Sequence, residues 1–161
     1  HGFHLGEKNH WAKRTLWEES TRVPLLISGP GILPDASCEQ SVSLIDIYPT
    51  LIDLCGLPQN KKLEGISLVP QLEDSRTVRD RPAITSSYFG NHAVRSQFWR
   101  LIVYEDGAQE LYDHRSDPDE FHNLADDPRY TVIKKKLRQW LPKSEEPEFR
   151  KKSEREKRRK E

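Results

Sequence analysis

At 161 residues, with 34% apolar and 32% charged side chains, the chain can bury one core of modest size. Its 26 Lys and Arg balance 26 Asp and Glu, and a net charge of zero excludes a molecule-wide electrostatic footprint for nucleic acid. No apolar run is long enough to span a bilayer.

The opening run His1-Gly2-Phe3-His4-Leu5-Gly6-Glu7-Lys8-Asn9-His10-Trp11-Ala12-Lys13 crowds three histidines, a glutamate and two lysines around two glycines. Those glycines give the backbone access to positive φ. His1, His4, Glu7 and His10 recur every third residue, a row that would drift by about 60° per step on a helix. Two neighbours could share a metal there, but not all four, and H-E-x-x-H is absent. The segment reads as a loop, and ordinary hydrogen-bonded histidines remain an open alternative to a metal site. No initiator methionine precedes it, so the chain is expected to begin inside a site.

Residues 22 to 27 form a short apolar run closed by Ser28-Gly29-Pro30-Gly31, the pattern of a strand buried on both faces. Leu44, Ile45, Tyr48, Leu51, Ile52 and Cys55 then recur at helical spacing, with Ser43 and Asp46 as an N-cap pair and Gly56 as a stop. Pro49 predicts a kink or a helix start close to it. Strand followed by helix indicates an α/β layer. Cys55 reads as a buried apolar side chain and Cys38 as a loop residue; nothing in the sequence argues for a disulfide between them.

From Arg81 the pattern changes. Ala83 to Phe89, Ala93 to Ser96, Trp99 to Glu105 and Gln109 to Tyr112 read as extended, and Asp106-Gly107 marks a hairpin between the last two. A small antiparallel meander follows from this. Val132, Ile133, Leu137, Trp140 and Leu141 mark one face of a closing amphipathic helix. Residues 143 to 161 carry nine Lys and Arg against six Asp and Glu, and are expected to be disordered or a solvated helix. Three units result: 1–75, 76–142 and the charged tail 143–161.

The opening run, together with Leu16-Trp17-Glu18-Glu19 and Arg22-Val23-Pro24-Leu25, resembles the second half of a sulfatase catalytic domain, of the alkaline phosphatase superfamily. Within that family it is most similar to the iduronate-2-sulfatase-type group, where the segment reads D-H-G-x-x-L-G-E-x-x-x-W-x-K. Val42 to Pro58 resembles the family's D-x-x-P-T-L-x-D-L-x-G-L-P helix. Glu110-Leu111-Tyr112-Asp113, Asp117-Pro118-Asp119-Glu120 and Asn123-Leu124-Ala125 resemble its E-L-Y-D…D-P-x-E-x-x-N-L-A turn. The likeness covers roughly residues 1 to 141 and rests on several independent matches.

The resemblance implies a fold and a site. The fold is the C-terminal part of an alkaline-phosphatase-like α/β domain, then a small α+β subdomain of meander and helix. His1 corresponds to the histidine after the metal-binding aspartate, placing it at a calcium (Ca2+) site or on a hydrogen bond to the sulfate or the nucleophile. Lys13 corresponds to the lysine that contacts the sulfate, where a compact ammonium suits charge gathering on non-bridging oxygens. His1 and Lys13 are thus the candidate catalytic residues. His4 and His10 share their loop and are candidate substrate contacts, as are His92 and Arg95 in the meander. Glu7, Trp11 and Trp17 read as structural: local capping for the first, buried area for the tryptophans.

The family's nucleophile is a formylglycine made from the cysteine of C-x-P/A-S-R, and neither Cys38 nor Cys55 stands in that motif. These 161 residues alone are expected to be inactive, the activity belonging to a longer chain. The implied function is hydrolysis of a sulfated sugar or related sulfate ester, in the periplasm or outside the cell, with no nucleic-acid partner. The alternatives are a phosphodiesterase or phosphonate hydrolase of the same superfamily, or a non-catalytic carbohydrate-binding relative. The sequence sets no oligomeric state.

Overall fold

The computed structural model describes residues 2–145. Four strands, β1 (Ala83–Ser86), β2 (His92–Arg95), β3 (Trp99–Val103) and β4 (Gln109–Asp113), form one antiparallel sheet in sequence order. The meander is therefore as the alternation predicts, although β1 stops at Ser86 rather than Phe89. At the β3–β4 hairpin Gly107 takes φ +90, its N–H donates to the Tyr104 carbonyl, and the Asp106 carboxylate accepts from Ala108 N at 2.9 Å. Asp-Gly supplies this turn because glycine enters positive φ without a side-chain clash.

Successive side chains of a strand point to opposite faces, so the sheet has two cores. Val94, Leu101 and Leu111 join Ala125 and Leu137 on one face, against helix α4 (Thr131–Arg138). Ala93, Ile102 and Tyr112 join Leu16 on the other, flanked by Trp17 and Tyr104. Truncating a fully buried leucine such as Leu101 costs about 2–5 kcal/mol, so these layers hold the sheet. The buried face of α4 runs through Ile133 and Leu137 and on to Leu141 beyond its end. Two residues expected on it depart: Val132 is 76% exposed and Trp140 is partly exposed, so the packed face is the i, i+4 row of Ile133, Leu137 and Leu141.

Between residues 18 and 79 lie three short helices, α1 (Glu18–Thr21), α2 (Ile47–Leu54) and α3 (Val69–Glu73). Ser43 N donates to Asp46 Oδ2 at 2.8 Å ahead of α2, as the N-cap pair predicts. Pro49 falls in the first turn, where a missing N–H breaks no intrahelical bond. Gly56 at φ +61 ends the helix: its N–H bonds the Asp53 carbonyl, and Leu57 N–H bonds that of Ile52.

Three expectations fail in this region. Residues 22–27 form no strand, because a strand needs a ladder partner and none of the described residues runs beside them; Leu26 is left 88% exposed. Of the apolar stripe on α2 only Ile52 is buried, while Leu44, Ile45, Tyr48 and Leu51 stay exposed, since no described element covers that side. Cys55 is exposed, as is Cys38, and both are free thiols. A buried polar centre organises the region instead. Asp46 accepts from Ser43 N, Ile66 N and the buried Arg79 guanidinium (2.7 Å), and Thr50 Oγ1 accepts from Leu68 N. Among the described residues no helix is long and apolar enough to cross a membrane.

Candidate functional site

The opening segment is a tight loop closed by two backbone bonds, His4 N to the Ala12 carbonyl (2.9 Å) and Gly6 N to the His10 carbonyl (3.0 Å). It turns through Gly6 (φ +122), Lys8 (φ +52) and Asn9 (φ +57). A non-glycine residue held in the left-handed region costs on the order of 1–3 kcal/mol and persists only where its surroundings enforce it. Glu7 caps locally, as expected, accepting from Leu5 N at 2.6 Å. Trp11 departs from the expected buried area: it lies over Gly6, where a Cβ would approach its ring to 2.9 Å, and is 71% exposed.

Two of the candidate residues meet within this loop. His4 is fully buried, its Nε2 2.8 Å from Thr15 Oγ1 and its ring edge-on to His10 (5.1 Å) and Trp17 (5.6 Å). Its Nδ1 lies 3.9 Å from Glu19 Oε2. His4 Nδ1, His10 Nε2 and Glu19 Oε2 are buried without a hydrogen-bond partner among the described residues. Lys13 follows at the exposed end of the loop. His1 lies outside the described residues.

Behind the loop, Leu16 and Trp17 carry the chain onto the sheet, and Glu18 enters an ionic cluster. Arg95 and Arg100 face each other across β2 and β3, a pairing of like charges that destabilises a sheet unless compensated. Glu18 supplies the compensation: it pairs with Arg95 Nε (3.2 Å) and with the Arg100 guanidinium. Glu120, fully buried, pairs with Arg100 Nε (2.5 Å) and His114 Nε2 (2.8 Å) and accepts from Glu18 N (3.0 Å). Burial alone would raise the Glu18 carboxyl, but the Arg100 and Arg95 guanidiniums outweigh it and hold it below its ordinary value. For Glu120 burial is likewise overcome, by the His114 hydrogen bond and the Arg100 charge. The Arg95 side chain is thus engaged within the protein, by Glu18, His114 (3.1 Å) and the Gln97 carbonyl (3.0 Å).

His92 lies on the opposite face. Its alternation with Ala93 puts it on the side of Val94 and α4, away from the loop of His4 and His10. Its ring joins Ser86 Oγ (2.8 Å) and the Glu145 carboxylate, at the floor of a cleft lined by Tyr88, Phe89 and Pro142. The four substrate candidates therefore divide into His4 with His10, Arg95 inside the ionic cluster, and His92 across the sheet. The cluster of Glu18, Arg100, His114 and Glu120 escaped sequence reasoning. One signal was available: Arg100 interrupts the apolar run of β3, and an inward charge demands a buried partner.

Calcium takes six to eight oxygen ligands. Among the described residues the one carboxylate and imidazole grouping of metal-ligand size is Glu18, His114 and Glu120. Two guanidiniums already neutralise its carboxylates, so it does not fit a calcium ion.

Residues 6–147 match the model of the N-sulphoglucosamine sulphohydrolase C-terminal family, and the chain belongs to that family. A sulfatase of Formosa agariphila is 39% identical over 144 residues, covering 89% of this chain and 28% of its own length. The chain spans about a quarter of the length of the curated relatives it matches. Among solved structures, BT4656 in complex with its substrate D-glucosamine-2-N,6-O-disulfate superposes with a TM-score of 0.69 at 29% identity, covering 86% of this chain and 31% of that one. A phosphonate monoester hydrolase from Silicibacter pomeroyi superposes with a TM-score of 0.67 at 25% identity, covering 84% and 31%.

Proposed function

We propose that the longer protein to which these residues belong hydrolyses sulfate esters of sugars, and that this segment supplies the sulfate-facing loop and the subdomain that supports it. The observation that carries the reading is the family match over residues 6–147, joined by a structural relative whose own substrate is a sulfated glucosamine.

In this reading Lys13 contacts the sulfate. An exposed ammonium at the end of a braced loop suits the negative charge carried by the sulfate oxygens and that developing on the departing alcohol oxygen as the S–O bond breaks. His1 stands beside the calcium and the nucleophile or assists the leaving alcohol by proton transfer. His10, half-buried on the same loop, contacts the sugar, while fully buried His4 orients His10 and Trp17 from beneath. His92 and Arg95 would reach a sugar only by giving up their present partners. Formylglycine and the oxygen ligands of the calcium beside His1 would come from the portion outside these residues, and the periplasmic or extracellular setting rests on the family resemblance alone.

A second reading is phosphonate or phosphodiester hydrolysis, favoured by the phosphonate monoester hydrolase relative. The two separate on a direct assay of the full-length protein. Sulfate release from D-glucosamine-2-N,6-O-disulfate, with slower cleavage of a phenyl phosphonate monoester, is the expected result. Phosphonate cleavage without sulfate release would replace the first reading with the second.

A further inference from the structure

Lys8 turns its ammonium inward, into the protein rather than toward a substrate. Nζ lies 4.7 Å from the centre of the Tyr112 ring, 5.1 Å from Trp17 and 6.0 Å from Phe121. It donates to the Glu120 carbonyl and approaches Tyr112 Oη at 3.4 Å. Three aromatic faces and a carbonyl form a site for a cation, since each ring presents the negative part of its quadrupole.

The rings are themselves braced by a charge. Glu110 accepts from Trp17 Nε1 (2.6 Å) and Tyr112 Oη (2.8 Å) through Oε2, and from Tyr104 Oη (3.2 Å) through Oε1. Burial and this carboxylate push both phenols up, so each remains a donor to Glu110. A carboxylate bound to the indole N–H and the phenol O–H polarises those rings toward the ammonium they face. The site joins Lys8 and Trp17 near the start of the chain to the β4 residues Glu110 and Tyr112 and the turn at Glu120 and Phe121, with Tyr112 and Glu120 lying 104 and 112 residues beyond Lys8. Lys8 also holds left-handed φ beside Asn9, a conformation that needs external enforcement.

We propose that Lys8 is a positioning residue: its ammonium is the resident ligand of an aromatic cation site built by Trp17, Tyr112 and Phe121 over Glu110, and it locks the loop in the form that presents Lys13. The connection to Lys13 rests on the sulfatase reading, whereas the cation site does not.

Lys8→Ala in the full-length protein, followed by amide hydrogen exchange, tests the site. The His4 and Gly6 amides, which close the loop, should exchange at least about tenfold faster, while Leu101, Ile102 and Leu111 keep their protection. n-Propylammonium, which replaces the missing part of the side chain, should restore protection where n-propanol does not, and Lys8→Arg should retain most of it. Unchanged exchange in Lys8→Ala, or equal restoration by propanol, overturns the cation site. In the full-length protein, Lys8→Ala should weaken sulfate-ester turnover, recoverably with n-propylammonium and with little recovery by Lys8→Met. Turnover unaffected by a loosened loop overturns the link to Lys13. If the unmodified protein releases no sulfate, the sulfatase reading fails and takes that link with it, and the exchange experiment still decides the cation site.

Discussion

Residues 83–141 and residues 22–79 use similar apolar material to different ends. The sheet region is covered on both faces: α4 lies on one, Leu16 and Trp17 on the other, and Glu18 and Glu120 pair its buried charges. The 22–79 region is ordered around a polar centre at Asp46, while Leu26, Leu44, Tyr48 and Leu51 remain exposed. Apolar sequence therefore predicts burial only where a second layer lies opposite. The loop bearing the candidates His4, His10 and Lys13 leads through Leu16 and Trp17 onto this covered half.

The largest expected effect comes from cutting the ionic cluster. Arg100→Leu leaves the buried Glu120 with the His114 ring and the Glu18 N–H but no guanidinium, and deprives Glu18 of one guanidinium, which should cost about 3–5 kcal/mol in denaturant unfolding. A loss under about 1 kcal/mol would mean that the cluster is not what fastens Glu18 to the sheet. Asp46→Ala strips the buried Arg79 of its partner and should be of similar size. Its signature differs, because hydrogen exchange should rise across 43–79 and leave β2–β4 unchanged. Spread of the effect into the sheet would show that the two regions unfold as one.

Core truncation sharpens the contrast at smaller scale. Leu101→Ala should cost about 2–5 kcal/mol, and Leu51→Ala no more than about 0.5 kcal/mol because its side chain is already half in solvent. Acid should weaken the sheet half. Glu18 and Glu120 are held below their ordinary value of 4.5 when folded and return to it when unfolded. Their stabilisation is present in full above about pH 4.5 and is lost as pH falls through the folded values. A urea titration of Glu120→Gln should show a flatter acid limb than the unmodified chain.

Much of the fold was readable along the chain. The Asp106-Gly107 hairpin, the alternation of β2 to β4, the Ser43–Asp46 pair and the Gly56 stop are local signals, each with a local cause that survives in the structure. What could not be read depends on partners distant in sequence. Residues 22–27 look like a strand yet have no ladder beside them, and Arg95 looks like a free strand arginine until Glu18 arrives from 77 residues away. The candidate site was legible only as a set of residues. Loop and family likeness singled out His4, His10 and Lys13 as candidates, of which the structure brings His4 against His10, whereas the inward course of Lys8 emerges only when β4 and the Glu120 turn are in place.

The central claim is that the 2–13 loop carries the sulfate-binding group of a larger enzyme. Lys13→Ala in the full-length protein tests it most directly, because Lys13 is exposed and its removal should leave folding untouched. Sulfate release should fall by roughly 10²- to 10³-fold, the size expected for losing one charge-stabilising donor, with an unchanged unfolding midpoint. Turnover within a few-fold of the unmodified enzyme would contradict the account.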